Sequence, residues 1–153
     1  MNQPELYKDI EIRERNFRLN KMDARTGSYM LVKLTKIIAP LIQTIDLEDL
    51  DNLNLNDINL TELMSPLLEL PEKEFRYIQD NCLRVVEEIL PGDTIKIIDK
   101  YGTFQALNIE FDTFLVMNLT VQSLIFNVKG FFDESVLNTI MKKLNISQQN
   151  LKM

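Results

Sequence analysis

Few side chains in this sequence could carry chemistry, and histidine is absent altogether. Without imidazole, the common zinc ligand sets and every histidine-dependent catalytic triad are excluded. The single cysteine, Cys82, falls on the apolar face of a predicted helix and has no histidine neighbour that would lower its pKa. We therefore interpret Cys82 as an inert core residue, and we expect no internal disulfide.

Neighbouring carboxylates are the remaining candidates for acid–base chemistry. The sequence offers Glu87 with Glu88, and Glu110 with Asp112. Such a pair works only when two environments push the pKa values apart, which adjacent acids on a wet surface seldom provide. The four glycines form neither G-x-G-x-x-G nor G-x-x-x-x-G-K-S/T, so no phosphate-binding loop is predicted. We expect no catalytic site, no cofactor and no metal.

Charge is unevenly distributed along the chain, whose net charge is −6. Residues 8–36 carry eight basic and four acidic side chains, whereas residues 46–93 carry three basic and thirteen acidic ones. This asymmetry either steers charged partners or simply forms a solvated acidic face. With a pI near 4.7 and no recognisable reading helix, nucleic acid is not an expected partner.

The predicted helices and hairpins that position these residues indicate an α+β fold. We expect residues 1–153 to form a single, mainly helical domain with a short N-terminal β-hairpin and a second small hairpin before a buried apolar helix. In the first hairpin, apolar residues alternate with polar ones up to Leu19, and the turn is predicted at residues 14–16. A positive outer face is expected from Arg13, Arg15, Arg18 and Lys21.

A helix is predicted to follow the first hairpin. Asp23 is its expected N-cap, because the carboxylate can accept backbone N–H groups of the first turn. The apolar stripe of this helix is predicted to start with Ala24, Gly27 and Leu31. Gly27 is also expected to permit close packing against a neighbouring element.

The middle of the chain predicts a connector, a helix and a hairpin. Residues 46–70, rich in Leu, Asn and Asp, are expected to form a mobile acidic connector. A helix is then predicted from Pro71 through Ile89, ending at P-G-D. The run TIKIIDKYGTFQAL, residues 94–107, is interpreted as the second hairpin with its turn at D-K-Y-G.

The most apolar segment spans residues 111–128 and predicts a helix capped by Asp112. Only eleven of these eighteen residues are apolar, whereas a membrane span needs about 20 predominantly apolar residues. We therefore expect a buried helix and no membrane partner. Asp133 is predicted to cap a final helix, and residues 145–153 are expected to form a frayed tail.

Three stretches occur in an order that resembles the small tail assembly chaperones of long-tailed bacteriophages and prophages. They are FRLNKMDARTGSYMLVKL, EFRYIQDNCLRVV and GTFQALNIEFDTFLVMNLTVQSLIFNVKGFF. In that family a short strand ending in a KMDAR.G-like turn opens a helix, and the later part finishes in an apolar helix followed by an FNVKGFF-like end. The resemblance covers roughly residues 10–42 and 72–133 and leaves the acidic connector unmatched.

The resemblance implies a non-enzymatic protein of the host cytoplasm that binds the tail tape-measure protein, recruits major tail tube subunits and is absent from the finished virion. Arg25, Tyr29, Phe131 and Phe132 are its candidate partner-binding positions, and Arg and Tyr are favoured interface anchors. Self-association is left open. Two alternatives also stay open. A structural head or tail adaptor would be found in purified virions, and a small nucleic-acid-binding regulator would bind DNA or RNA in a salt-sensitive way.

Overall fold

The computed structural model describes residues 5–33 and 70–128, which form a four-stranded antiparallel sheet and three helices. The strands are Tyr7–Ile12 (β1), Arg15–Asn20 (β2), Val86–Leu90 (β3) and Asp93–Lys96 (β4). The helices are residues 24–33 (the described part of α1), Glu72–Arg84 (α2) and Thr113–Val128 (α3). The sheet order is β1-β2-β3-β4, so the predicted α+β class is confirmed.

The N-terminal hairpin is present, but its turn was predicted one to two residues too late. Ile12 pairs with Arg15, so the two turn residues are Arg13 and Glu14. Both have positive φ, 50° and 67°, as the twist of a two-residue hairpin requires. The turn lacks the usual Asn-Gly or Asp-Gly pair, and for this reason the sequence pattern predicts its position incorrectly.

The helix after Pro71 ends at Arg84, so its predicted extension to Ile89 is wrong. The spacing of the apolar residues after Cys82 suits a helix and a strand equally well. Pairing decides between them, because β3 fills the free edge of β2, with Val86 opposite Leu19. Apolar and β-branched residues then gain both ladder hydrogen bonds and burial in the sheet.

The second hairpin is present before the apolar helix, with strands different from those predicted. It joins β3 to β4 through Pro91 and Gly92, and Gly92 adopts the left-handed φ of +80° that suits glycine. The D-K-Y-G segment forms a smaller turn, closed by one bridge between Ile98 and Phe104. In that turn Asp99 accepts the backbone N–H groups of Tyr101 and Thr103.

Helix α3 packs against α2 and β2 over the buried face of the sheet. The core cluster draws on every layer, with members Ile12, Phe17, Leu19, Leu83, Val86, Ile97, Ile98, Ala106, Ile109, Leu115, Leu119 and Phe126. Cys82 is fully buried, and burial raises the pKa of its thiol well above the usual range. Across the described ranges no helix is long and apolar enough to cross a membrane.

The apolar stripe of α1 is rotated by about one residue from the prediction. Met30 is the buried residue of its described part, whereas Ala24 is exposed and Leu31 is only partly covered. A one-residue error rotates the predicted face by about 100°. No atom of another described element lies within 4 Å of a Cβ built on Gly27, so its expected close packing is not found within the described residues.

Candidate partner-binding site

Two of the three family-like stretches meet at one place, where β2 runs into α1 beside the last turn of α3. Asn127 makes this contact with both ends of its side-chain amide. Its Oδ1 accepts the Met22 backbone N–H at 2.7 Å, and its Nδ2 donates to the Asn20 carbonyl at 3.4 Å and to the Ser123 carbonyl at 2.9 Å. Because these backbone groups are partly buried, the contact satisfies atoms that would otherwise be costly to cover.

Lys21 strengthens the same contact. Its Nζ donates to the Phe126 carbonyl and lies 4.1 Å from the centroid of the Phe126 ring. A positive charge near a helix C-terminus is favourable because the last carbonyls carry partial negative charge. We call the group Asn20, Lys21, Met22, Phe126 and Asn127 the motif junction. Its observed role is to lock the start of α1 to the end of α3.

Asp23 lies at the start of α1 and caps it. The carboxylate accepts the backbone N–H groups of Arg25 and Thr26, each at 3.1 Å, and the Thr26 hydroxyl donates to it at 2.6 Å. These hydrogen bonds, the Thr26 hydroxyl first, lower the pKa of Asp23. At the start of α3, Asp112 similarly accepts the Leu115 N–H at 3.0 Å.

Arg25 and Tyr29, the two described candidate contacts, both lie on the accessible side of α1. Arg25 is exposed, and about half of Tyr29 is accessible. The Tyr29 ring packs edge-on against Tyr77 of α2, with 5.4 Å between centroids. Lys33 pairs with Glu74 at 2.6 Å beside it, and the four side chains help to line a cavity of about 320 Å³. The structure therefore holds Tyr29 in place by contact with α2.

Several predicted residues lie outside the described ranges. They are the candidate contacts Phe131 and Phe132, the candidate cap Asp133, residues 46–69 of the acidic connector, and the tail 145–153.

The positive outer face expected on the first hairpin is largely neutralised, because three of its four basic residues are paired with carboxylates. Arg15 lies on the same face as Phe17 and donates to both carboxylate oxygens of buried Glu88. The other three make separate contacts: Arg18 with Asp9, Arg13 with Asp112, and Lys21 with Phe126. A count of charges along the hairpin sequence could not predict these ion pairs, because the acidic partners of Arg13 and Arg15 lie in distant parts of the chain.

The fold separates Glu87 from Glu88, and it engages Asp112 of the second candidate carboxylate pair in structural contacts. Glu87 and Glu88 are adjacent in β3 and therefore point to opposite faces of the sheet. Glu88 is held by Arg15, whereas Glu87 accepts from the Asn20 side chain at 3.3 Å. Asp112 is occupied as a helix cap and ion-pair partner. Among the residues described here, no group of three or more His, Cys, Asp or Glu could hold a metal ion.

The sequence interpretation missed three exposed apolar side chains within residues 107–114, namely Leu107, Phe111 and Phe114, which we call the exposed apolar patch. Leu107 is 80% exposed and Phe111 is 92% exposed, while Phe114 is 42% exposed. The sequence places Phe111 in the segment expected to be buried, although the predicted Asp112 cap leaves it just outside α3, which begins at Thr113. The available signal was the position of Phe111 directly before the cap, between Glu110 and Asp112.

Arg13 and Arg15 hold the segment that carries this patch. Arg15 donates to the Leu107 carbonyl at 2.8 Å and to the Asn108 carbonyl at 3.4 Å. The guanidinium of Arg13 lies 4.5 Å from the centroid of the Phe114 ring while it binds Asp112. The patch is therefore anchored to the first hairpin and borders a cavity of about 630 Å³.

Comparison with family models gives a match over most of the chain. Residues 13–139 match the family model described as phage tail assembly chaperone protein, TAC. The match includes β2, the motif junction and the exposed apolar patch. No curated protein and no solved structure shows a significant match to the chain.

Proposed function

The chain belongs to the phage tail assembly chaperone family, and from that premise we propose that it acts without catalysis in the host cytoplasm, binding the tail tape-measure protein and recruiting tail tube subunits. In this proposal it leaves as the tube polymerises and is absent from the finished virion. The observation that carries the proposal is the match of residues 13–139, which covers most of the chain.

The geometry of the described residues supports a binding role. Two of the carboxylates considered for acid–base chemistry make structural contacts instead, since Glu88 and Asp112 are both engaged in ion pairs. Large apolar side chains are instead presented on the surface near a rigidly held loop. An exposed apolar surface with polar surroundings is typical of a site where proteins bind.

Arg25 and Tyr29 are our proposed partner contacts on α1, together with Phe131 and Phe132 of the family-like end. Arg25 and the accessible part of Tyr29 offer a guanidinium and a phenol, side chains that are enriched where binding energy concentrates. The double substitution Arg25→Ala with Tyr29→Phe would test them, because phenylalanine keeps the ring that packs on Tyr77.

The test is co-expression of the tagged chain with the tape-measure and tail tube proteins of the same phage or prophage, followed by affinity purification. Mass spectrometry of the retained proteins and of purified virions completes it. The proposal predicts that both tail proteins are retained and that the chain is missing from virions.

Two other outcomes would contradict the proposal in different ways. Stoichiometric amounts of the chain in virions would indicate a structural adaptor. Retention of nucleic acid without tail proteins, weakened steeply by salt, would indicate a regulator.

A further inference from the structure

The exposed apolar patch stands apart from the other apolar surface of the described residues because Leu107 and Phe111 protrude from a loop that Arg15 holds, directly before α3. Phe111 lies directly before the Asp112 cap, the position from which an apolar residue often packs onto the first helical turn. At 92% exposure it does not form such a contact. Full burial of a side chain of this size contributes about 1.5–3 kcal/mol. Because Phe111 is left uncovered, a partner that covers it gains this free energy on binding.

The backbone beneath the patch is fixed by contacts with the first hairpin. Arg15 binds two consecutive carbonyl groups of the loop, those of Leu107 and Asn108, and is itself held by Glu88 through two hydrogen bonds. Asn108 has a φ of 59°, in the left-handed region that a non-glycine residue adopts at a turn. A surface ordered in advance loses less conformational entropy when it binds, which favours affinity.

The charges around the patch indicate the chemistry of its partner. Arg13 and Arg15 are already bonded to Asp112 and Glu88. Glu110 lines the neighbouring cavity, is exposed, and makes no ion pair with any other described residue. The rim of the patch therefore carries uncompensated negative charge, which favours a positively charged partner.

We infer that Leu107, Phe111 and Phe114 form a docking surface for a polypeptide segment that carries large apolar side chains next to a lysine or arginine. The apolar side chains pack on the patch, and the cation lies beside Glu110. A small-molecule site would enclose its ligand, whereas Leu107 and Phe111 project into solvent. This inference rests on the proposed function, because the segment belongs to one of the tail proteins that the chaperone binds.

The experiment compares a patch variant with a matched control in the co-expression assay. Leu107→Ser with Phe111→Ser removes the apolar surface, while Tyr101→Ser removes an equally exposed ring, 79% accessible, from the D-K-Y-G turn. We expect the patch variant to retain the bound tail protein at least tenfold less than the wild type does. Anchor residues at the centre of an interface carry most of the binding energy of that interface. The control should bind as the wild type does.

A charge variant provides a second, independent measurement. Glu110→Lys reverses the rim charge without removing any buried group, and it should also weaken retention about tenfold. Glu110→Gln should have a smaller effect and should reduce the dependence of affinity on salt. Thermal melting establishes that each variant is folded. If the patch double variant is unfolded, Glu110→Lys decides the outcome.

The failures can be told apart. Wild-type protein that retains neither tail protein would overturn the proposed function and this inference with it. Normal retention by both the patch variant and Glu110→Lys, with loss in the variant of Arg25 and Tyr29, would overturn the docking surface alone. If Tyr101→Ser lost as much retention of the tail protein as the patch variant, the docking surface would also be overturned. The loss would then not be specific to the patch.

Discussion

The motif junction and the exposed apolar patch both lie within the family match, yet they treat large apolar side chains in opposite ways. At the junction, Phe126 is 2% exposed and its carbonyl accepts from Lys21. On the patch, Phe111 is almost fully exposed although the loop beside it is firmly held. The difference teaches that the same residue type in one family-like stretch can maintain the fold at one position and be free for a partner at another.

The sharpest way to break this comparison is to make the same substitution in both regions. Phe126→Ala should lower the free energy of unfolding by about 3–5 kcal/mol, because it leaves a cavity in the core. Phe111→Ala should change it by no more than about 0.5 kcal/mol, because little is buried there. Urea unfolding of both variants measures the contrast. Similar losses in the two proteins would contradict the assignment of one phenylalanine to the core and the other to the surface.

The link between the hairpin and the patch should give the next largest effect. Arg15→Met leaves Glu88 buried without its partner, and we expect a loss of about 2–3 kcal/mol, reduced from that of a fully buried pair because Arg15 is partly exposed. Replacing Glu88 as well, in Arg15→Met with Glu88→Met, should restore part of the stability. A double variant no more stable than Arg15→Met would show that the unpaired carboxylate is not the cause.

A smaller loss is expected when the polar contact of the junction is removed. Asn127→Ala deprives the Met22 N–H of its acceptor and should cost about 1–2 kcal/mol. The matched control is Asn81→Ala, because Asn81 donates to the Tyr77 carbonyl within its own helix and joins no separate elements. Chemical denaturation of both variants should show that Asn127→Ala has the lower free energy of unfolding. Equal stability would mean that the junction contact contributes nothing specific.

The smallest predicted effect is a pH dependence at the first turn of α1. Hydrogen bonds hold the pKa of Asp23 below its ordinary value of 3.8, so the charged cap stabilises the fold above that pH. The contribution falls as pH drops through the lowered pKa of the folded state. Asn also caps helices but does not titrate, so the melting-temperature advantage of wild type over Asp23→Asn should shrink below about pH 4. A constant difference from pH 7 to pH 2.5 would contradict this role.

Sequence patterns were sufficient for the fold class and for the elements with local signals. The alternation before Leu19 located the first hairpin, and the aspartates at 23 and 112 stand where the helices begin. Patterns failed where tertiary contacts decide. Val86 to Leu90 is a strand because β2 supplies the pairing edge, a fact that no local window contains.

The candidate site was predictable only in part. The N-cap pattern located Asp23 at the start of α1, but it could not reveal that Asn127 and Lys21 join this region to the end of α3. The partners of the basic hairpin were equally hidden, since Arg15 and Glu88 lie 73 residues apart in the chain. The predicted Asp112 cap placed the start of α3 correctly at Thr113, but the exposure of Phe111 depends on how the loop before the cap packs, which periodicity does not describe.

Hydrogen exchange of the chain with and without its tail-protein client tests the central claim most directly. We predict that client binding slows exchange of backbone amides in residues 105–114, while the amides of the motif junction, at residues 20–22, stay unchanged. Protection confined to the junction, or the absence of any protection at the patch in a formed complex, would contradict the division of the molecule into a structural contact and a partner-binding surface.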